Sequence, residues 1–436
     1  MNGIISIDKL AYGGAGVGRF KGKACFVPFT APGDTVEIRI DKDKPSYVEA
    51  HLLGLQHVSD QRVTAPCPVF GNCGGCNWQH LAYQAQLDAK AAIVSDMLWR
   101  FGRIEPGCIE KVIPSPDQYG YRTRVQFKVR SLPDGVHIGF YRSGSHIVVS
   151  SPGSCCIASS AINRIFSLLP ELVASLPDPR KVPQIDVAVG ESSGAILIFH
   201  YLGDFAEEFY DRLNWLQQSE EITGVFVQAG RKEALTKVFG QDRLSYGVST
   251  GSPYNEEMVL SFSRGGFSQV NYGQNRHLVH TVCEWAALNG TERVLDLFCG
   301  NGNFTLPLSR HAAYLLGIES YAPSLDDARI NADTVQARNV EFRCGDAATL
   351  VNELRAAGEH FDRVILDPPR TGAKELLKEI IDLSPDRIIY VSCDPATLAR
   401  DAGTLVKYGY RVKACRIHDM FPQTYHIESV TLLERG

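Results

Sequence analysis

No run in this 436-residue sequence approaches the ~18 consecutive apolar residues that a membrane span requires, which excludes an integral helical membrane protein. The N-terminal MNGIISIDKLAYGG has no basic stretch followed by an apolar core, so no secretory signal is expected and the chain is read as cytoplasmic. A large excess of one charge is also missing: the formal net charge is −5 and the pI is near 6.2. Any contact with nucleic acid must therefore come from local basic patches, not from a global field. Internal repeats and low-complexity tracts are lacking. What is present, 44% hydrophobic and 21% charged residues, is the make-up of a folded globular chain and excludes global disorder. At about 150 residues per domain the length allows roughly three domains, with enough core to need no disulfide staples.

Twelve cysteines without a secretory signal point to thiol, metal or catalytic chemistry before disulfides. Cys67, Cys73 and Cys76 crowd into ten residues of a Gly/Pro-rich loop, and Cys155 and Cys156 are adjacent. The scattered Cys25, Cys108, Cys283, Cys344 and Cys415 are read as small buried hydrophobes. Cys67-x5-Cys73-x2-Cys76 supplies three thiolates, and a fourth must come from far along the chain, at Cys155 or Cys156. Thiolates suit zinc or an iron–sulfur cluster. Zinc more often uses paired C-x2–4-C knuckles, and spacing alone leaves both open.

Three regions follow from the patterning. Residues 1–58 carry short strands (IISIDKL, GKACFVPF, DTVEIRI) between the glycine-rich YGGAGVG and the turn APGD, which suits a small OB-like barrel. Its acids and bases nearly balance. Residues 59–262 are α+β, with the cysteine loop, a helix within 79–110, another around Ala161–Val173, and an antiparallel sheet. Alternation in YRTRVQFKVR puts Arg122, Arg124, Gln126, Lys128 and Arg130 on one strand face, either a solvated surface or a phosphate-contacting stripe. Residues 263–436 alternate apolar strands with helix-length segments, the signature of a doubly wound parallel sheet. The last two strand patterns, YRVKACRIHDMF and HIESVTLLER, lie too close together for a crossover and should pair antiparallel at the edge. This arrangement resembles the S-adenosylmethionine-dependent methyltransferase plan.

Chemistry-bearing residues fall at the carboxyl ends of these strands, where doubly wound sheets bind ligands. Leu295-Asp296-Leu297-Phe298-Cys299-Gly300-Asn301-Gly302-Asn303-Phe304 runs from the first strand into a glycine turn, without the full G-x-G-x-x-G spacing of a dinucleotide site. Glu319 ends the second strand, where a carboxylate can accept both ribose hydroxyls, and Asp346 follows the third, where it can receive an adenine amino group. The fourth ends in Asp367-Pro368-Pro369-Arg370, and the fifth in Val391-Ser392-Cys393-Asp394-Pro395. His426-Ile427-Glu428 precedes the last strand and offers a base.

Phe267-Ser268-Gln269-Val270-Asn271, the D-L-F-C-G-N-G-N-F-T-L loop, D-P-P-R, S-C-D-P and the final D-M-F-P-Q-T-x-H-I-E together resemble the RNA m5U methyltransferase family. The N-terminal Gly13-Gly14-x-Gly16-x-Gly18, Phe26-Val27-Pro28 and Pro32-Gly33-Asp34 resemble the TRAM domain, an RNA-binding barrel. With the cysteine loop, the chain is most similar to the iron–sulfur branch that methylates large-subunit ribosomal RNA. The resemblance implies a 23S rRNA (uracil-C5)-methyltransferase using S-adenosylmethionine; the chain is expected to be a monomer. It implies Cys393 as the nucleophile that adds to carbon 6 of uracil, and Glu428 as the base that removes the carbon 5 proton. Gln269, Phe298, Asn303, Glu319, Asp346 and Asp367 become cofactor contacts; close relatives can carry Asn at the position of Asp346. The resemblance further assigns a [4Fe–4S] cluster to Cys67, Cys73, Cys76 and Cys155, leaves Cys156 a spectator, and packs the 79–110 helix on the catalytic domain. Aspartate and arginine in D-P-P-R, in place of the N-P-P-Y residues that hold an exocyclic amine, disfavour an amino-group target. Two alternatives stand beside this reading: a transfer-RNA T-loop enzyme, which can be built without barrel or cluster, and an iron–sulfur redox sensor that only binds RNA. The sensor would need neither Cys393 nor Glu428.

Overall fold

The computed structural model describes residues 2–151, 153–192, 194–204, 207–230, 235–251 and 256–436. Strands β1 (Asn2–Leu10), β2 (Gly16–Phe20), β3 (Lys23–Val27), β4 (Thr35–Asp43) and β5 (Tyr47–His57) close into a barrel in the order β1-β2-β3-β5-β4. Period-2 alternation fills it: Ile5 and Ile7, Cys25 and Val27, Val36 and Ile38, Val48 and Ala50 point inward. Gly18 is required where β2 crosses β1, because a Cβ there would lie 2.1 Å from the Ser6 carbonyl oxygen.

The cysteine loop leads into α1 (Tyr83–Met97), which continues through a π-helical turn to Gly102. Gln86, Leu87, Lys90, Ile93 and Val94 form its buried stripe at helical spacing. The stripe packs into the same core as Leu398, Ala399 and Ala402 of the C-terminal region. Lys90 is completely buried and donates to Asp419, also completely buried, at 2.5 Å, and to the Phe421 carbonyl at 3.1 Å. Removing one partner of such a pair strands a charge and costs about 3–5 kcal/mol.

The middle of the chain forms β6 (Arg124–Leu132), β7 (Gly135–Tyr141), β8 (Val148–Ser150), α2 (Ser160–Ala174), β9 (Gln184–Val189), β10 (Ala195–Tyr201), α3 (Glu207–Asn214), β11 (Ile222–Ala229) and β12 (Leu235–Gly240). The strands make a seven-stranded sheet, order β12-β11-β10-β9-β6-β7-β8. It is antiparallel as expected except for the parallel β10–β11 pair. One face is covered by the apolar stripe of α2, including Ile162, Phe166 and Leu169. The hairpin β13 (Arg243–Ser249) and β14 (Glu257–Ser263) forms a separate two-stranded sheet, and its Tyr246, Leu260 and Phe262 join the core around α4 (Tyr272–Ala286).

The C-terminal region contains β15 (Arg293–Leu297), α5 (Thr305–Ser309), β16 (Tyr314–Glu319), α6 (Ala322–Thr334), β17 (Val340–Cys344), α7 (Ala347–Ala356), β18 (Arg363–Leu366), α8 (Leu377–Leu383), β19 (Arg387–Ser392), α9 (Pro395–Lys407), β20 (Tyr410–His418) and β21 (Glu428–Arg435). Its sheet order is β17-β16-β15-β18-β19-β21-β20, parallel through β19, with β21 and β20 antiparallel at the edge as anticipated. Strand order reverses at β15, so the loops after β15 and β18 diverge and leave a crevice at their carboxyl ends. Among the described residues no helix is long and apolar enough to cross a membrane. Of the cysteines expected to be plain core residues, Cys25, Cys283 and Cys415 are buried and Cys108 is half-buried. Cys344 corrects the expectation: it ends β17 and is exposed.

Candidate active site

The turn after β15 is held in a left-handed kink, with Phe298 at φ 67° and Gly302 at φ 88°. An aromatic residue in that region is strained and persists only where neighbours enforce it. Here the Phe298 and Cys299 amides both donate to the Ile318 carbonyl, at 2.9 and 3.1 Å. A side chain at Gly302 would be strained by that φ and would press on the Leu306 side chain, 2.9 Å from its Cβ. Glu319 is placed beneath the turn, accepting from the Gly300 amide at 3.2 Å and the Tyr321 amide at 2.7 Å. Asn303 exchanges amide hydrogen bonds with Asn275, at 2.9 and 3.1 Å, and accepts from the Tyr246 hydroxyl at 3.2 Å. Tyr246 and Asn275 were not singled out from sequence: they lie 57 and 28 residues from Asn303, outside any local motif.

A cavity of about 650 Å³ opens above this turn. Gln269, Phe298, Asn303, Glu319 and Asp367 line it, as do Cys393 and Glu428. Asp346 does not. It is an exposed N-cap of α7, accepting from the Thr349 amide at 2.9 Å and hydroxyl at 3.0 Å, bonds that hold its carboxyl below the usual range. Below the cavity Asp296 is completely buried; one oxygen accepts from the Thr305 hydroxyl at 2.5 Å and the other has no hydrogen-bond partner among the described residues. Burial pushes Asp296 up to about 7 against the lowering effect of Thr305. Asp367 is likewise pushed to about 7, by burial and then by the charges of Asp296 and Glu319. A crevice of crowded acids suits a cationic ligand. S-adenosylmethionine, with a sulfonium and an amino group, fits that electrostatic demand.

The register of the edge strands brings the two proposed reactive residues together. Ser392 pairs with Ser429, so Cys393, just past the end of β19, and Glu428, the first residue of β21, meet at one end of the same ladder. Burial pushes the Cys393 thiol up to about 12, with the Glu428 and Asp367 carboxylates adding to the rise and Arg370 opposing it. Glu428 is raised well above the ordinary carboxyl range by burial and then by Asp367, again against Arg370. His426 is pushed down to about 4 by burial and by Arg370. Each shift disfavours the charged form of its group, and the arginine of D-P-P-R is among the groups acting on all three.

A second cavity, about 500 Å³, adjoins the first and shares Phe267, Ser268 and His426 with it. Cys67, Cys73, Cys76, Cys155 and Cys156 all line this space. Burial raises the Cys73 and Cys76 thiols, the latter to about 12, and both also feel Cys155 and Cys67. Cys156 is raised to about 11 by burial and by contact with Cys67. Among the described residues no three His, Cys, Asp or Glu side chains are grouped to hold a metal ion. The basic stripe is divided. Arg122 and Arg124 line the cysteine cavity, Lys128 is engaged by Gln184 and the Tyr141 ring, and Arg130 is exposed.

A parallel sheet with an antiparallel edge hairpin and an acid-lined crevice at its switch point define a methyltransferase of the S-adenosylmethionine-dependent class. The family model described as tRNA (Uracil-5-)-methyltransferase matches residues 82–436, and that of the TRAM domain matches residues 5–53. The chain belongs to the tRNA (uracil-5-)-methyltransferase family. Among curated relatives it is 36% identical to the 23S rRNA (uracil(1939)-C(5))-methyltransferase RlmD of Azoarcus sp. (strain BH72), over 98% of this chain and 99% of that protein. It is 35% identical to the RlmD of Thiobacillus denitrificans, with 100% of both chains covered. Among solved structures it is similar to the Pyrococcus abyssi tRNA (uracil-54, C5)-methyltransferase in complex with S-adenosyl-L-homocysteine. That likeness has a TM-score of 0.74 at 25% identity and covers 99% of this chain and 100% of that one.

Proposed function

We propose that the protein methylates carbon 5 of one uridine in 23S ribosomal RNA, at the position equivalent to uracil 1939 in the names of its relatives. The observation that carries the reading is the convergence of Cys393 and Glu428 at one end of the β19–β21 ladder, above the acid-lined crevice. Carbon 5 of uracil is a poor nucleophile. The Cys393 thiolate adds to carbon 6, forming the sulfur–carbon bond and moving the ring electrons toward an enolate. S-adenosylmethionine, when bound, supplies an electrophilic methyl group. Once carbon 5 carries the methyl, Glu428 takes its proton; the electron pair reforms the ring double bond, and the Cys393 thiolate leaves. Gln269, Phe298, Asn303, Glu319 and Asp367 hold the donor from the crevice walls; Asp346, which caps α7 outside the cavity lining, reaches the adenine end only if the bound donor extends past that lining.

The target must leave its stack to present both faces of the ring, so a single-stranded loop is expected. Arg122 and Arg124 then serve as phosphate contacts beside the flipped nucleotide. Full-length 35–36% identity to 23S enzymes favours ribosomal RNA; the likeness to a transfer-RNA enzyme at 25% keeps the T-loop as the competing substrate. Incubation of the full chain with unmodified 23S fragments and unmodified transfer RNA, followed by nucleoside mass spectrometry, decides between them. Methylation of one uridine in the 23S fragment is expected. Efficient methylation of transfer RNA with inert ribosomal RNA selects the alternative.

The same reading places a [4Fe–4S] cluster on Cys67, Cys73, Cys76 and Cys155. In a cubane each thiolate binds a different iron, so its sulfurs surround a cavity and do not converge on a point, which accords with these cysteines lining one space. Asn163 supports Cys155 as the fourth ligand by fixing its backbone: it accepts from the Cys155 amide at 2.8 Å and donates to its carbonyl at 3.1 Å. With four protein thiolates the cluster has no open iron, and its role is to fix the cavity wall. Anaerobically prepared protein should contain about four irons. Cys155→Ser should lose iron and Cys156→Ser should keep it. Stoichiometric zinc without iron defeats the assignment.

A further inference from the structure

We propose that Tyr12, in the β1–β2 turn of the N-terminal barrel, is a positioning residue for methyl transfer, its hydroxyl holding Asp394 and thereby the turn that carries Cys393. The inference rests on the reading of Cys393 as nucleophile.

The Tyr12 hydroxyl donates to Asp394 Oδ2 at 2.9 Å, across 382 residues of sequence. The other carboxylate oxygen, Oδ1, caps α9, accepting from the Ala396 amide at 3.0 Å and the Thr397 amide at 2.9 Å. The Asp394 amide donates to the Ser392 hydroxyl at 3.2 Å, and that hydroxyl donates to the Asp394 carbonyl at 3.0 Å. Cys393 is therefore enclosed in a small turn whose downstream residue is fixed at the backbone and at both carboxylate oxygens, one of them by the barrel. The Tyr12 ring also stands edge-on to Tyr425, with centroids 5.8 Å apart at 89°. Tyr425 packs on His426 at 4.5 Å, and His426 lies two residues before Glu428. One barrel side chain thus touches both the nucleophile turn and the segment leading to the base.

The barrel turn is itself held in place. The Ala11 amide donates to the Ala15 carbonyl at 2.8 Å, and the Nε1 of the completely buried Trp78 donates to the Gly14 carbonyl at 3.0 Å. Partial burial and the neighbouring Asp394 carboxylate both raise the Tyr12 pKa, so its hydroxyl remains a donor across the working range. A nucleophile must meet its target within a fraction of an ångström, and small displacements cost large factors in rate. The TRAM barrel, on this view, completes the catalytic turn as well as serving as an RNA-binding module.

Tyr12→Phe removes the hydroxyl and keeps the ring against Tyr425. With saturating RNA that bears 5-fluorouridine at the target, its rate of covalent complex formation should fall roughly tenfold, the scale of one hydrogen bond to a charged group. KM for RNA, S-adenosylmethionine affinity and the thermal transition should be unchanged. Asp394→Asn should be slow as well, and the double variant no slower than the slower single, because both remove one interaction. A wild-type rate for Tyr12→Phe, a loss confined to KM for RNA, or additive losses in the double variant overturns the proposal. If Cys393→Ala still forms the complex, the nucleophile assignment fails; if Cys393→Ala loses it while Tyr12→Phe behaves as wild type, the Tyr12 inference alone fails.

Discussion

Cys393→Ala protein should form no covalent complex with RNA that bears 5-fluorouridine at the target, whereas the native protein should accumulate one. Fluorine at carbon 5 cannot leave as a proton does, so addition and methyl transfer run forward and elimination stops. Loss of the thiol should reduce turnover to background, while S-adenosylmethionine binding persists because the crevice is built from β15, β16 and β18 and their loops. The reaction should also be pH-dependent in a definite direction. In the free protein, burial and the Glu428 and Asp367 carboxylates push the thiol up to about 12. Below that value the thiolate fraction rises about tenfold per pH unit. Alkylation of Cys393 in the RNA-free protein, followed by mass spectrometry of its peptide, should therefore accelerate steadily from pH 7 to 9. A plateau near pH 7 would mean that the thiol is already activated, and a complex formed by Cys393→Ala removes it from the mechanism.

Much of the architecture was legible because it is written in local periodicity. Alternation marked the barrel strands, and buried apolar runs spaced by helix-length segments marked the parallel sheet. A spacing too short for a crossover foretold the antiparallel edge. What could not be read was long-range register. The Ser392–Ser429 pairing that brings Cys393 to Glu428 joins segments with no shared local signal. Tyr246 behind Asn303 and Tyr12 on Asp394 are equally invisible, since each belongs to another sheet. Exposure was misjudged where a residue type outweighed position: Cys344 looked like a small core residue, yet it ends the edge strand β17. The position of Asp346 after the third strand was correctly anticipated, but strand-end placement does not reveal that its carboxylate caps α7, apart from the cavity lining.

Glu428→Gln should convert the enzyme into one that traps its own product. Glu428 is buried at the cavity wall, and burial with Asp367 nearby raises its carboxyl well above the ordinary range. Glutamine copies the shape of the side chain without a charge to bury, so the variant should fold with nearly native stability and bind RNA. Thiol addition to carbon 6 and methylation of carbon 5 do not need this side chain as a proton acceptor. Removal of the carbon 5 proton does, and a carboxylate whose pKa is raised by burial is a better base for it than an exposed one. An amide cannot accept that proton. Turnover should fall by about 10²–10⁴, the usual contribution of a positioned general base. A complex of protein and ordinary, unfluorinated RNA should persist on a denaturing gel, and mass spectrometry should find the methyl group already on the trapped base. His426 beside it is no ready substitute, because as a neutral imidazole pushed down to about 4 it is a weak proton acceptor. Normal turnover with no trapped species would transfer the base role away from Glu428; a trapped but unmethylated complex would place it before methyl transfer.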